Sequence, residues 1–128
     1  MLEGFKPYNL TIGTPSMSIT TNGVGISKAA IIKLGKPEYV VLLIDGEGKR
    51  IAIQVCDENT EDKTPFVKNK GTISVRWNNK DLLNTICNMM NWDLKQNGYK
   101  VEGTFLENEQ ALIFDLMSAD TLGKEDDD

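Results

Sequence analysis

Residues 39–56 read Tyr39-Val-Val-Leu-Leu-Ile-Asp-Gly-Glu-Gly-Lys-Arg-Ile-Ala-Ile-Gln-Val-Cys56. The unbroken apolar run from Tyr39 to Ile44, rich in β-formers, predicts a strand buried on both faces. Asp45-Gly46-Glu47-Gly48 predicts a hairpin turn in which the glycines take positive φ. The return strand runs from Lys49 to Cys56, where Ile51, Ile53 and Val55 alternate with Arg50, Ala52 and Gln54, one set facing a core and the other facing out.

Upstream, Met17 to Thr21 alternates as a strand and Asn22-Gly23 marks a turn. Ser27 can cap a short helix through Leu34, with Ala30, Ile31 and Leu34 on one face. Gly35 suits the left-handed residue that ends a helix, and Pro37 prevents continuation. Residues 1–15 have no clean periodicity and are interrupted by Pro7, Gly13 and Pro15. They read as an arm packed on the body or as a partly ordered extension.

Downstream, Asp57 to Gly71 is polar, contains Pro65 and reads as a linker loop in which Phe66 and Val67 can serve as an anchor. Thr72 to Trp77 predicts a strand. Asn78 or Asn79 caps a helix through about Met90, with Leu82, Leu83, Ile86 and Met90 as its apolar stripe. Asn97-Gly98 opens a second hairpin: Tyr99, Val101 and Phe105 alternate, Glu107-Asn108-Glu109 turns, and Leu112, Phe114 and Leu116 return. Residues 118–128 form an acidic tail.

The order of elements therefore repeats, and Ile51 and Ile53 fall on Leu112 and Phe114 at a constant offset. The reading is a single α+β domain made of two tandem β-α-β-β units, 16–56 and 72–117. A unit of about 40 residues is too small to bury its own apolar face. The two units are expected to interleave their hairpins as a pseudo-twofold barrel within one chain. The alternative is an ordinary meander with both helices on one face.

Composition narrows the chemistry. The chain has 128 residues, 40% hydrophobic and 26% charged, which fits one globular domain. No apolar run approaches the roughly 20 residues of a membrane helix. Met1 to Phe5 lacks a basic region followed by an apolar one, so a cytoplasmic chain is expected. The net charge is −5, and the last nine residues hold five acids against Lys124, leaving the rest near neutral. There is no histidine. A Ser or Cys nucleophile therefore lacks its usual base, and a zinc site lacks a usual ligand. Cys56 and Cys87 read as buried, reduced packing residues. Gly23-Val24-Gly25 lacks the third glycine of a dinucleotide fingerprint. The turn acids Asp45, Glu47, Glu107 and Glu109 read as solvated. No enzyme activity, cofactor or metal is expected.

The first unit resembles the AbrB-type swapped-hairpin regulators, small bacterial DNA-binding transcription factors. The resemblance rests on Asn22-Gly23-Val24-Gly25-Ile26-Ser27-Lys28, on Lys33-Leu34-Gly35, and on Val40 to Ile44 with Gly46, Gly48 and Arg50-Ile51. Ser27 stands where the family has proline, and Ile31 and Ala29 stand where it has an arginine and an acid. The second unit shares only the order of elements. The resemblance implies a swapped-hairpin scaffold in which one chain does the work of the family's dimer, and a regulatory role.

Phosphate contact needs cations, because released counterions drive affinity. The candidate residues are Lys28, Lys33, Lys36, Lys49 and Arg50 in the first unit, with Arg76 and Lys80 from the second. The expectation is a non-enzymatic regulatory or accessory binding protein that contacts double-stranded DNA. The alternative is a protein–protein interaction or self-association module without DNA binding; a small-ligand-binding protein or enzyme is the more distant option. Trp77 and Trp92 read as core aromatics.

Overall fold

The computed structural model describes residues 2–5, 13–69, 71–72 and 74–123. The elements are β1 (Ser16–Thr20), β2 (Gly23–Ile26), α1 (Lys28–Lys33), β3 (Tyr39–Asp45), β4 (Arg50–Cys56), β5 (Thr64–Pro65), β6 (Val75–Trp77), α2 (Lys80–Met90), β7 (Gly98–Leu106), β8 (Ala111–Asp115) and β9 (Asp120–Gly123). The chain is α+β. Its strands form one curled antiparallel sheet, a half-barrel in the order β5-β3-β4-β8-β7-β1-β2-β6, and β9 adds to β7.

The hairpin at residues 39–56 pairs from Tyr39↔Cys56 to Asp45↔Arg50. Its turn is held by Asp45, whose carboxylate accepts the Gly48 N–H at 2.9 Å. That carboxylate packs so close to Gly48 that a Cβ there would collide with it. Positive φ falls on Lys49, at 57°, and not on the two glycines as the sequence suggested. Gly48 is needed here for space and not for its backbone conformation.

Long-range and local pairings together build the rest of the sheet. β4 pairs with β8 (Ile51↔Phe114, Ile53↔Leu112), β1 with β7 (Met17↔Val101), β5 with β3 and β2 with β6 (Val24↔Trp77). β7 turns the sheet: its first residues pair with β1 and β9, and Gly103 to Leu106 pair with β8. At the bend, Gly103 faces Phe114, whose ring would lie 2.7 Å from an added Cβ.

Both helices are capped as their sequences dictate. Ser27 Oγ accepts the Ala30 N–H at the start of α1, and Asn79 accepts the Leu82 N–H at the start of α2. α1 ends where Gly35 takes φ 84° and the Lys36 N–H returns to the Ile31 carbonyl. α2 ends on left-handed Asn91. The core lies in the curl of the sheet. Met17, Ile19, Val24, Ile31, Val40, Ile51, Ile53, Ile86, Val101, Leu112, Phe114 and Leu116 are all essentially inaccessible to solvent.

The structure departs from the sequence reading at several points. β3 is not buried on both faces: only Val40 is fully buried, while Leu43 and Ile44 are 46% and 40% exposed. β5 pairs only with Tyr39 and Val40, so nothing described lies along the outer edge beyond them. The 57–71 loop contains β5, and Phe66 and Val67 are buried in the core. Besides β5, two strands lie where none was expected: β2, and β9, which takes Asp120–Gly123 out of the expected tail. The strand expected from Thr72 begins at Val75. Cys56 and Cys87 are free thiols but only half-buried. Most of the N-terminal arm (6–12) and the end of the tail (124–128) lie outside the described residues.

Candidate nucleic-acid interface

The seven candidate cations occupy three places. Lys49 and Arg50 sit at the β3–β4 turn, and both are engaged. Lys49 donates from Nζ to the Met89 carbonyl at 3.0 Å, satisfying an orphan acceptor in the last turn of α2 and complementing its negative end. Arg50 donates to Asp45 Oδ2 from Nε at 3.1 Å and from a terminal nitrogen at 2.7 Å. The Gly48 N–H and then Arg50 hold the Asp45 carboxyl below its ordinary pKa. Lys33 and Lys36 lie at the end of α1, where Lys33 Nζ stands 5.3 Å above the Phe105 ring centre. The third group is Lys28 at the start of α1, Lys80 at the start of α2, and Arg76 on β6, all exposed. Lys80 and the Lys49 contact lie at opposite ends of α2, roughly 14 Å apart at 1.5 Å per residue.

Arg76 stands on a surface that the sequence reading did not pick out. Ser18, Gly25 and Arg76 form one row across β1, β2 and β6, and Lys100 of β7 continues it beyond Ser18. Side chains alternate across a sheet, so residues two apart share a face. The next row holds Ser16, Ser27 and Ser74, and Glu102 of β7 continues it beyond Ser16; the row on the other side is Thr20, Gly23 and Asn78. The inward face of the same strands carries Met17, Ile19, Val24, Ile26 and Val75, all buried. One face is thus core; on the other, β1, β2 and β6 carry small polar side chains and glycine around Arg76, with Lys100 and Glu102 of β7 at the border.

Both glycines on this face are there for space. A Cβ at Gly25 would lie 2.8 Å from Ser18 Oγ and 3.5 Å from the Arg76 guanidinium. A Cβ at Gly23 would lie 2.6 Å from the Trp77 carbonyl, at φ 125°. Among the described residues, no carboxylate forms an ion pair with Arg76, whereas Arg50 has Asp45. The signal was present in the sequence as Ser-x-Ser at 16 and 18, Gly-x-Gly-x-Ser at 23–27 and Ser-x-Arg at 74 and 76, each at strand period.

The other candidates resolve into structure. Trp92 stacks on Tyr99 with ring centres 3.7 Å apart, and Trp77 lies 6.0 Å from Phe66. Trp77 Nε1 is buried without a hydrogen-bond partner among the described residues. Glu47, Glu107 and Glu109 are exposed. Asp57, beside a broad depression near Cys56, spends its carboxylate on the Asn59 N–H and the Thr60 hydroxyl. Burial and, secondarily, Asp93 push the Cys87 thiol above its ordinary pKa, opposite to what a reactive thiol needs.

No family model, curated protein or solved structure matches the chain.

Proposed function

We propose that the chain is a non-enzymatic, cytoplasmic regulatory or accessory binding protein that contacts duplex DNA through the outer face of β1, β2 and β6. The observation that carries this reading is Arg76: exposed, without an acidic partner among the described residues, and laid over Gly25 on a floor of short polar side chains, with exposed Lys28 and Lys80 at the helix starts that follow β2 and β6. Short side chains let a phosphate backbone approach the sheet closely, and cations without partners release counterions when it does.

An AbrB-like scaffold fits with this. The β3–β4 hairpin lies beside the β7–β8 hairpin through β4 and β8, and β2 pairs with β6, which fits two units that interleave. In that reading the first unit's β1 flanks the second unit's hairpin, and β5, from the loop between the units, flanks the first's. The units diverge: α2 has 11 residues against 6 in α1, and β6, the second unit's first strand, has three against five in β1.

The test is a fluorescence anisotropy titration of the full chain against random-sequence duplex at low and moderate salt. The reading requires binding at low salt that weakens steeply as salt rises; no binding at low salt overturns it. One observation favours a second reading, a protein-interaction or self-association module. The outward face of β3, β4, β8 and β7 places Leu43, Ala52 and Ile113 in one row and Leu106 and Ala111 in the next, with Leu43 and Leu106 exposed. Concentration-dependent mass in solution without duplex binding would favour it.

A further inference from the structure

We infer that the cleft formed by Ser16, Ser18, Gly25, Ser27, Ser74 and Arg76 is a binding site for a tetrahedral oxyanion, a phosphate or sulfate group. It is a cavity of about 140 Å³ at the junction of β1, β2 and β6, completed by Ile26 and Val75. That is well above the roughly 10–15 Å³ that one water needs by the same measure.

The lining is biased toward donors. Arginine has five N–H groups and no acceptor. Ser27 Oγ already accepts two hydrogen bonds, from the Ser16 N–H at 3.0 Å and the Ala30 N–H at 3.2 Å. Both lone pairs are occupied, so the only function its hydroxyl has left is to donate its proton. Ser16, Ser18 and Ser74 add three hydroxyls with no hydrogen-bond partner among the described residues, and Ser16 is only 8% exposed. Among the described residues, no carboxylate lines the cleft. A donor-rich, acid-free pocket with one guanidinium matches an anion that accepts on every side. Donors arrive from three directions, from β1, from the Ser27 cap and from β6, which suits a tetrahedral group better than a planar carboxylate. Gly25 is the floor: any side chain there would meet Ser18 Oγ and crowd the guanidinium.

The inference does not depend on DNA binding, since the same chemistry is offered by a free phosphate and by a backbone phosphodiester. The experiment is an amide and arginine Nε NMR titration of the full chain with inorganic phosphate at constant ionic strength, with chloride as the control. Saturable shifts are expected at Ser18, Gly25, Ser27 and Arg76 with phosphate and not with chloride. Arg76→Gln should weaken phosphate binding about tenfold or more, as expected for the loss of charge-assisted hydrogen bonds. Ser18→Ala, which leaves the Ser27 cap intact, should weaken it by a smaller factor. Shifts that do not saturate, that spread over surface lysines, or that are unchanged in a folded Arg76→Gln protein would overturn the site. A duplex arm separates the sources. Duplex that displaces phosphate from these residues identifies a backbone phosphate. Phosphate binding without duplex binding leaves the site standing and removes the DNA reading. Duplex binding without phosphate shifts does the reverse.

Discussion

Replacing Ser27 with alanine removes one oxygen that serves two elements. Its hydroxyl caps α1 through the Ala30 N–H and ties β1 to the helix start through the Ser16 N–H. Loss of an N-cap costs about 1 kcal/mol, within a range of roughly 0.5–2. Ser16 is buried, so its orphaned N–H adds a desolvation penalty of about 1–3 kcal/mol. The total is about 2–4 kcal/mol, a large part of the stability of a domain this size. Unfolding entropy of about 2.1 cal/mol/K per residue converts each kcal/mol into about 4 °C for 128 residues, so Tm should fall by about 7–15 °C. Urea unfolding followed by circular dichroism measures the free energy, and a thermal scan measures Tm. Ser27→Thr keeps the oxygen and should recover most of the loss. A Ser27→Ala protein within about 0.5 kcal/mol of the parent would refute the double role assigned to this hydroxyl.

Gly103→Ala should destabilise by about 1–3 kcal/mol, because the new Cβ is forced against the fully buried Phe114 ring; the urea midpoint checks this. Lys49→Met should cost about 0.5–1 kcal/mol through loss of the bond to the Met89 carbonyl and of its charge at the end of α2, and should leave duplex affinity unchanged. The folded-state pKa of Asp45 is depressed, so its contribution to stability is present above the unfolded pKa and is lost as pH falls through the folded value. Asp45→Asn should therefore flatten the stability profile below about pH 4, while the absence of histidine predicts little change near neutrality in either protein.

Much of the fold could be read from strict periodicity. Alternation puts Ile51, Ile53, Leu112 and Phe114 on the inward face, although the pairing that sets Ile51 opposite Phe114 and Ile53 opposite Leu112 is not in the pattern. Ser27 and Asn79 cap their helices because capping depends on residues three apart. β2 escaped notice because Gly23-Val24-Gly25-Ile26 has two glycines in four residues, and its partners on β1 and β6 supply what propensity does not. β9 was hidden by the acidic composition around it, and only its pairing with β7 makes it a strand. The apolar run of β3 overstated its burial because composition says nothing about which edge a neighbouring strand will cover.

Long-range contact limited the reading of the site in the same way. Nothing near Lys49 in sequence signals that it reaches Met89, 40 residues on, and this removes it from any free basic patch. Counting cations pointed to the first unit, which has the more lysines. The structure instead sets Arg76 apart, because its neighbours on β1 and β2 are serines and glycine. Those neighbours stand at period two in the sequence, but charge alone does not distinguish one cation's surroundings from another's.

The central claim is that Arg76 and the start of α1 meet a phosphate backbone, and the salt dependence of duplex affinity tests it most directly. Each phosphate contact contributes a slope of about −0.9 in log affinity against log salt. The Lys28→Gln, Arg76→Gln double variant should bind more weakly at low salt, with a slope shallower than the parent's by about 2. A parent that does not bind at low salt, or a double variant with unchanged slope and affinity, would contradict the claim.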